Sequence, residues 1–198
     1  MLPKEHEFSL TTLEEKNALY NAIAQLTNPI IVEVGTYLGG SAAIMASSNP
    51  TAKIYTYDLY DGRDNDPLFK EELLEKSLGL GVPRNLETVS NLLSEYTNIF
   101  LHRSRFLNTE SFNWNGDPID VYFDDGDHYA PGLNKNLEYW LPKLKNGGLM
   151  IFHDHRPHLP LSNPLRWPAV EEAVHRLSTQ GYTKVLKAGS LVILKKCC

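Results

Sequence analysis

Ile30-Ile-Val-Glu-Val-Gly-Thr-Tyr-Leu-Gly-Gly-Ser41 is the stretch on which the fold turns. Asn28-Pro29, just before it, breaks a helix. Ile30–Val34 is a short apolar run rich in β-branched residues, which suits a strand buried on both faces. Gly35–Gly40 is a glycine-rich turn, and Ser41–Ala46 continues as a short helix of small residues. Strand, glycine turn and helix N-terminus, in that order, build a nucleotide-type pocket. Glycines let a ligand approach the backbone, and the first helical turn offers free N–H groups. The spacing is not G-x-G-x-x-G, and Glu33, two residues before the first glycine, would repel a pyrophosphate. A ligand with a cationic centre or an amino group fits better.

Working outward, helix and strand patterns alternate along the chain. Thr12-Leu-Glu-Glu15 has the spacing of a capping box, and Leu19, Ala22, Ile23 and Leu26 follow at helical intervals. Residues 1–28 therefore read as an N-terminal helical appendage. Lys53–Tyr57 is a second strand that ends at Asp58. Residues 60–96 read as a helical insertion: the loop Asp61–Pro67, then helical stretches around 68–78 and 86–96. It is a candidate lid, although Phe69, Leu73, Leu74 and Leu78 suit plain packing equally. Ile99–Leu101 and Ile119–Phe123 are further strands. Leu133, Leu137, Trp140, Leu141 and Leu144 form one helical stripe, which Asn146-Gly-Gly148 should stop. Leu149–Phe152 is a fifth strand, and a helix follows around Ala169–Leu177. Lys184–Leu186 and Ser190–Leu194, across Ala188-Gly189, read as a β-hairpin. The pattern predicts one α/β domain over 1–198, a Rossmann-like doubly wound sheet of five βα-type units closed by a hairpin.

At 198 residues the chain is one domain in size. The 42% hydrophobic and 22% charged fractions are those of a folded globule and exclude general disorder. Nineteen Lys and Arg against 24 Asp and Glu give a net charge of −5, a poor basis for binding nucleic acid. No apolar run approaches a membrane span, and MLPKEHEFS lacks a signal-peptide core. A cytoplasmic protein, with no nucleic-acid or membrane partner, is the expectation. Cys197 and Cys198 are adjacent and cannot staple a fold; a frayed tail is the reading, rather than a lipidation signal.

In open α/β sheets ligands bind beyond the carboxyl ends of the strands, and the polar clusters fall there. Asp58, after the second strand, can accept both hydrogen bonds of a ribose diol, with Asp61 as a nearby competitor. Asp124, Asp125, Asp127 and His128 follow the fourth strand; His153, Asp154 and His155 follow the fifth. Carboxylates and imidazoles converging in one cleft are relieved by a cation between them. Oxygen-rich ligands suit Mg²⁺ or Mn²⁺, and histidine among them tilts the balance toward Mn²⁺, Fe²⁺ or Zn²⁺. His6, His102, His158 and His175 have no such context and read as surface residues.

At these residues the sequence resembles the class I S-adenosylmethionine-dependent methyltransferases. More narrowly, it resembles the bacterial small-molecule family of macrolide-sugar O-methyltransferase and cephalosporin-hydroxylase-like relatives. The resemblance runs from about Ile30 to Leu194 and rests on Glu33–Ser41, Asp125-Gly-Asp-His128, Gly147-Gly148, His153-Asp-His155 and Trp167-Pro-Ala-Val170. It implies a seven-stranded sheet, mostly parallel, with an antiparallel strand in the C-terminal hairpin. It implies that Gly35, Thr36, Gly39, Gly40 and Ser41 line the methionine part of S-adenosyl-L-methionine, with Glu33 supporting the turn or reaching the amino group. Asp58 would bind the ribose hydroxyls and Ser104 would lie near the adenine. The family usually has an aspartate before that serine, where this chain has Arg103. Asp125 matches a ligand of a divalent metal (Mg or Mn) and counts with the cofactor-binding residues; His153 and Asp154 match a second ligand pair. His128, three residues after Asp125, matches the general base, with His155 as its rival. The implied reaction is methyl transfer to a hydroxyl of a small-molecule acceptor, metal-assisted, with a homodimer as the candidate assembly. Two other readings stand beside it: a metal-dependent hydrolase or phosphoesterase using Asp125, His153 and Asp154, and a cofactor-binding protein without turnover.

Overall fold

The computed structural model describes residues 1–60, 84–104 and 112–197. Seven strands form one sheet: β1 (Ile30–Val34), β2 (Lys53–Asp58), β3 (Ile99–Arg103), β4 (Ile119–Asp124), β5 (Leu144–Phe152), β6 (Tyr182–Ala188) and β7 (Leu191–Lys196). Their order is β3-β2-β1-β4-β5-β7-β6. β3, β2, β1, β4 and β5 pair in parallel, whereas β7 runs antiparallel to both β5 and β6. The order reverses beside β1, so the ends of β1 and β4 open onto one crevice. That crevice is where an open α/β sheet holds its ligand.

Both faces of the sheet are covered. Ile31, Val121, Phe123 and Ile151 pack with Leu19 and Ile23 of α1 (Leu13–Ala24) and with Ala42, Ile44 and Met45 of α2 (Gly40–Ser48). Val89 of α3 (Leu86–Leu92) joins that side. Val32, Val34, Tyr122 and Met150 face the other way, onto Leu133, Leu137 and Trp140 of α4 (Ala130–Trp140) and onto Val170 and Val174 of α5 (Pro168–Thr179). Alternating neighbours in one strand thus serve opposite cores, which is why the central strands β1 and β4 are buried at nearly every position. The N-terminal appendage is part of this body. α1 has the capping box, with Thr12 and Glu15 each satisfying the other's backbone N–H, and it buries Leu19 and Ile23 completely or nearly so.

Two expectations change. The helix after β4 ends at Trp140, and a 3-10 turn, Leu141–Lys143, follows, so Pro142 rather than the glycines stops it. Asn146-Gly-Gly148 lies inside β5, where the pairing with β4 shifts register between Ile119 and Val121. Gly147, with φ +77°, takes up that irregularity. The second half of the 60–96 insertion is α3. Asp61, the 61–67 loop and the helix expected around 68–78 lie outside the described residues, as does the lid reading that rests on them.

Candidate active site

The glycine turn follows from backbone geometry. Gly35 has φ +98°, and a Cβ there would lie 2.1 Å from the backbone oxygen of Asp125. Only glycine allows the loop after β1 to touch the loop after β4 this closely. Gly39 caps α2 with φ +85°, and a Cβ there would lie 2.6 Å from Leu93. Gly40 is turned elsewhere: a Cβ on it would meet the Ser9 nitrogen at 2.3 Å, so the N-terminal segment packs over the start of α2. Close packing, and not only a ligand, requires glycine at Gly40.

Glu33 lies wholly buried beneath this turn. The Ser41 and Thr56 hydroxyls donate to its two carboxyl oxygens. Tyr60 Oη donates to Thr36 Oγ1 at 3.0 Å, and Thr36 Oγ1 sits 2.6 Å from Thr56 Oγ1. A chain of hydroxyls, Tyr60 to Thr36 to Thr56, therefore ends on Glu33 and fixes the turn from below. Of the two roles expected for Glu33, this is support of the turn. Burial pushes its pKa up to about 8, against the two hydroxyl hydrogen bonds. The folded state then keeps a proton that the unfolded chain releases near 4.5. Stability should fall as pH rises from about 5 to 8, by on the order of 1 kcal/mol per pH unit. Glu33→Gln should flatten that slope, which urea unfolding at the two ends of the range would measure.

Asp58 joins the turn to the next strands. Its Oδ2 accepts from the Tyr37 N–H at 2.9 Å and its Oδ1 from the Tyr60 N–H at 3.2 Å. The Ser104 N–H donates to the Asp58 carbonyl oxygen at 2.8 Å, so Ser104, buried after β3, stands beside it. Tyr37 and Tyr60 adopt left-handed backbone, φ +51° and +50°, to reach these bonds.

Across the crevice, the clusters after β4 and β5 divide. Asp124 is buried and accepts from the Tyr122 hydroxyl, and burial pushes its pKa up to about 7. Asp127 turns onto the start of α4, accepting from the Tyr129 N–H at 2.9 Å. Asp125, His128 and Asp154 converge, with one ligand atom from each within 4.8 Å of the others. His128 Nε2 lies 3.0 Å from Asp154 Oδ2 and 3.9 Å from Asp125 Oδ1. Although buried, that nitrogen makes no aligned hydrogen bond. Its ring stacks on Trp167 at 4.8 Å between centroids.

His153 stands behind the carboxylates. Its Nδ1 lies 3.0 Å from Asp125 Oδ1 and 3.2 Å from Asp154 Oδ1. Its Nε2 lies 3.3 Å from Ser190 Oγ and 3.6 Å from Glu15 Oε2. Burial opposes its charge, but the Asp125 and Asp154 carboxylates prevail and hold it protonated well above the ordinary imidazole range. The ligand atoms that converge are those of Asp125, His128 and Asp154, whereas the ligand set expected from the sequence is Asp125, His153 and Asp154. Asp154 has φ +61°, and Arg156 pairs with its Oδ1. Burial works against its ionisation, yet His153, His128 and Arg156 keep it a carboxylate at low pH. His155 is buried, with its pKa lowered to about 4 by burial and by Lys187 and Lys184, so it is a weak base.

The converging set fits a divalent cation. Ligand atoms about 2.0–2.1 Å from one Mg²⁺ stand up to roughly 4 Å apart, so a small closure completes the trio. Two carboxylate oxygens with an imidazole nitrogen 3.0 Å from one of them form an oxygen-rich mixed set.

Several residues escaped the sequence. Trp167 reads only as the start of a helix, and Glu15 only as a capping residue. Arg166 forms a bidentate pair with Glu171, 2.8 and 2.9 Å, and anchors the segment between Asp154 and Trp167. His102 is not a surface residue: it is half-buried and stacks on Tyr57 at 4.8 Å.

A family profile for methyltransferase domains matches residues 32–155, a span holding the turn, Asp58 and the converging trio. No curated protein matches the chain. Solved structures do. One is a Staphylococcus aureus protein assigned as a caffeoyl-CoA O-methyltransferase: TM-score 0.67, 20% identity, 96% of this chain and 86% of that one covered. The O-methyltransferase TomG of Streptomyces achromogenes, solved with SAM, gives TM-score 0.65 at 15% identity, over 96% and 82%. MycE of mycinamycin biosynthesis, solved with Mg, SAH and mycinamycin VI, gives 0.61 at 14%, over 98% of this chain and 54% of that one. At these identities the likeness is one of fold. Among the described residues, no helix is long and apolar enough to cross a membrane.

Proposed function

This chain belongs to the methyltransferase-domain family, as a class I S-adenosylmethionine-dependent methyltransferase, and we propose that it methylates a hydroxyl of a small molecule with divalent-metal assistance. One observation carries the reading. The Gly35 turn and the Asp125 backbone are in contact, which sets the cofactor turn directly beside the Asp125–His128–Asp154 trio.

Each residue then has a chemical task. Gly35, Thr36 and Gly39 shape the turn against the methionine part, while Asp58 accepts the ribose hydroxyls and Ser104 borders the adenine. A hydroxyl is a weak nucleophile until it loses its proton. A divalent cation held by Asp125 and Asp154 would lower the pKa of that hydroxyl. His128, flat against Trp167, takes the proton on Nε2. S-adenosyl-L-methionine, held by the turn and Asp58, would supply the methyl group, the new oxygen–carbon bond forming as the carbon–sulfur bond breaks. MycE, solved with Mg and SAH, is a neighbour in fold that holds both groups.

The hydrolase reading is not favoured, because it needs His153 as a ligand, whereas the ligand atoms that converge are those of Asp125, His128 and Asp154. Calorimetric titration of S-adenosylhomocysteine into EDTA-stripped protein tests the proposal, and micromolar binding is expected. Asp58→Ala, whose lost hydrogen bonds to a charged acceptor are worth about 1.5–3 kcal/mol, should weaken it by roughly 10–100-fold. Absence of binding, with or without Mg²⁺ or Mn²⁺, would overturn the reading. Binding without transfer to any hydroxylated acceptor would favour the cofactor-holding protein.

A further inference from the structure

Glu15 lies outside the matched span and belongs to α1, yet it reaches the site. It is 2% exposed. Its Oε2 accepts the Thr12 N–H at 2.6 Å, closing the capping box. Its Oε1 accepts the Ser190 N–H at 2.6 Å and the Ser190 hydroxyl at 2.7 Å. Gly189 leaves room for this, since a Cβ there would lie 2.6 Å from Oε1. A helix cap alone needs only one of these oxygens. The carboxylate is instead shared among α1, the β6–β7 hairpin and the His153 ring.

We propose that Glu15 is a positioning residue for the Asp125–Asp154 pair and acts through His153. Glu15 and Ser190 hold the Nε2 edge of the ring, at 3.6 and 3.3 Å. The opposite edge then presents Nδ1 to Oδ1 of both aspartates, at 3.0 and 3.2 Å. With its Oδ1 engaged by His153 and Arg156, Asp154 is left with Oδ2 facing His128. Asp154 is thereby aimed before any cation arrives, and Asp125 is held beside it by the same ring nitrogen. Groups that orient metal ligands in this way typically contribute about 10–100-fold in metal affinity. The inference rests on the metal-assisted reading above.

Mn²⁺ binding measured by calorimetry, with no turnover required, tests it. Glu15→Gln retains an oxygen for Ser190 but loses the charge facing His153. It should weaken Mn²⁺ by about 10–100-fold and leave S-adenosylhomocysteine affinity in EDTA within about threefold. His153→Ala should cause a similar loss, and the double variant should be no weaker than His153→Ala alone, because the two act in series. If Glu15→Gln fails to fold, Ser190→Ala, which frees the same ring edge, should weaken Mn²⁺ in the same direction by a smaller factor. Unchanged Mn²⁺ affinity in Glu15→Gln, or in Ser190→Ala where it replaces it, overturns the role of Glu15. So do losses that multiply in the double variant. Failure of the wild-type protein to bind Mn²⁺ or Mg²⁺ overturns the metal reading itself, and this inference with it.

Discussion

Replacing His128 with alanine should lower methyl transfer by about 10²–10⁴-fold, the range over which a positioned general base acts. The expectation follows from where Nε2 sits. It is buried, stacked on Trp167, and lies 3.0 Å from Asp154 without an aligned hydrogen bond. A nitrogen held there is placed to take a proton from a hydroxyl brought to the carboxylates. Burial opposes its charged form, but Asp154 and Asp125 outweigh burial and raise its pKa above the ordinary imidazole value. The rate should therefore fall on the acid side of the pH profile, and that limb should vanish in the variant. Base and ligand are exclusive roles, since a nitrogen bound to metal has no lone pair left. Mn²⁺ affinity separates them: a base leaves it within about threefold in His128→Ala, whereas a lost second-row donor costs about tenfold or more. Loss of Mn²⁺ binding in His128→Ala would make the imidazole a ligand beside the two aspartates rather than the base, and leave the base to be found elsewhere.

The two aspartates and His128 were legible because strand ends in an open sheet point into one crevice, and β4 lies between β1 and β5. The central strands β1 and β4 were legible because they are apolar on both faces, with burial at nearly every position. What could not be read was which side of the crevice each imidazole takes. His128 and His153 are the same residue type at the ends of adjacent strands. His128 stacks on Trp167, whereas His153 is held by Glu15 and Ser190, which come from α1 and the β6–β7 turn. Glu15 shows the same limit. Its spacing from Thr12 announces a capping box, and the box is present, but a local motif cannot reveal a contact with Ser190 at the far end of the chain. Glu33 was legible as an acid unsuited to phosphate. Its partners, Ser41 and Thr56, come from the following helix and the neighbouring strand. Gly147-Gly148 misled because glycines end helices and also relieve irregular strands, and Pro142 had already ended this one.

Gly35→Ala should be the most damaging single substitution at the cofactor turn. Two costs combine. The residue sits at φ +98°, where an alanine is disfavoured by roughly 1–2 kcal/mol. Its Cβ would also lie 2.1 Å from the Asp125 carbonyl oxygen and 2.8 Å from the Gly126 nitrogen, so backbone must move. Neither atom is the end of a flexible side chain that could swing aside. Gly181→Ala provides the comparison, because Gly181 has φ +90° and no atom within 4 Å of the added Cβ. It should pay the conformational cost alone, a Tm drop of about 2–8 °C for a chain of this size. Gly35→Ala should exceed that several-fold, and protein that remains folded should lose S-adenosylhomocysteine and Mn²⁺ binding together. Joint loss follows because the contact belongs to both sites: pushing Gly35 away from Asp125 distorts the turn and displaces a carboxylate of the trio in one movement. Equal Tm shifts in the two variants, or loss of one ligand with the other retained, would mean that the loops after β1 and β4 are mechanically independent.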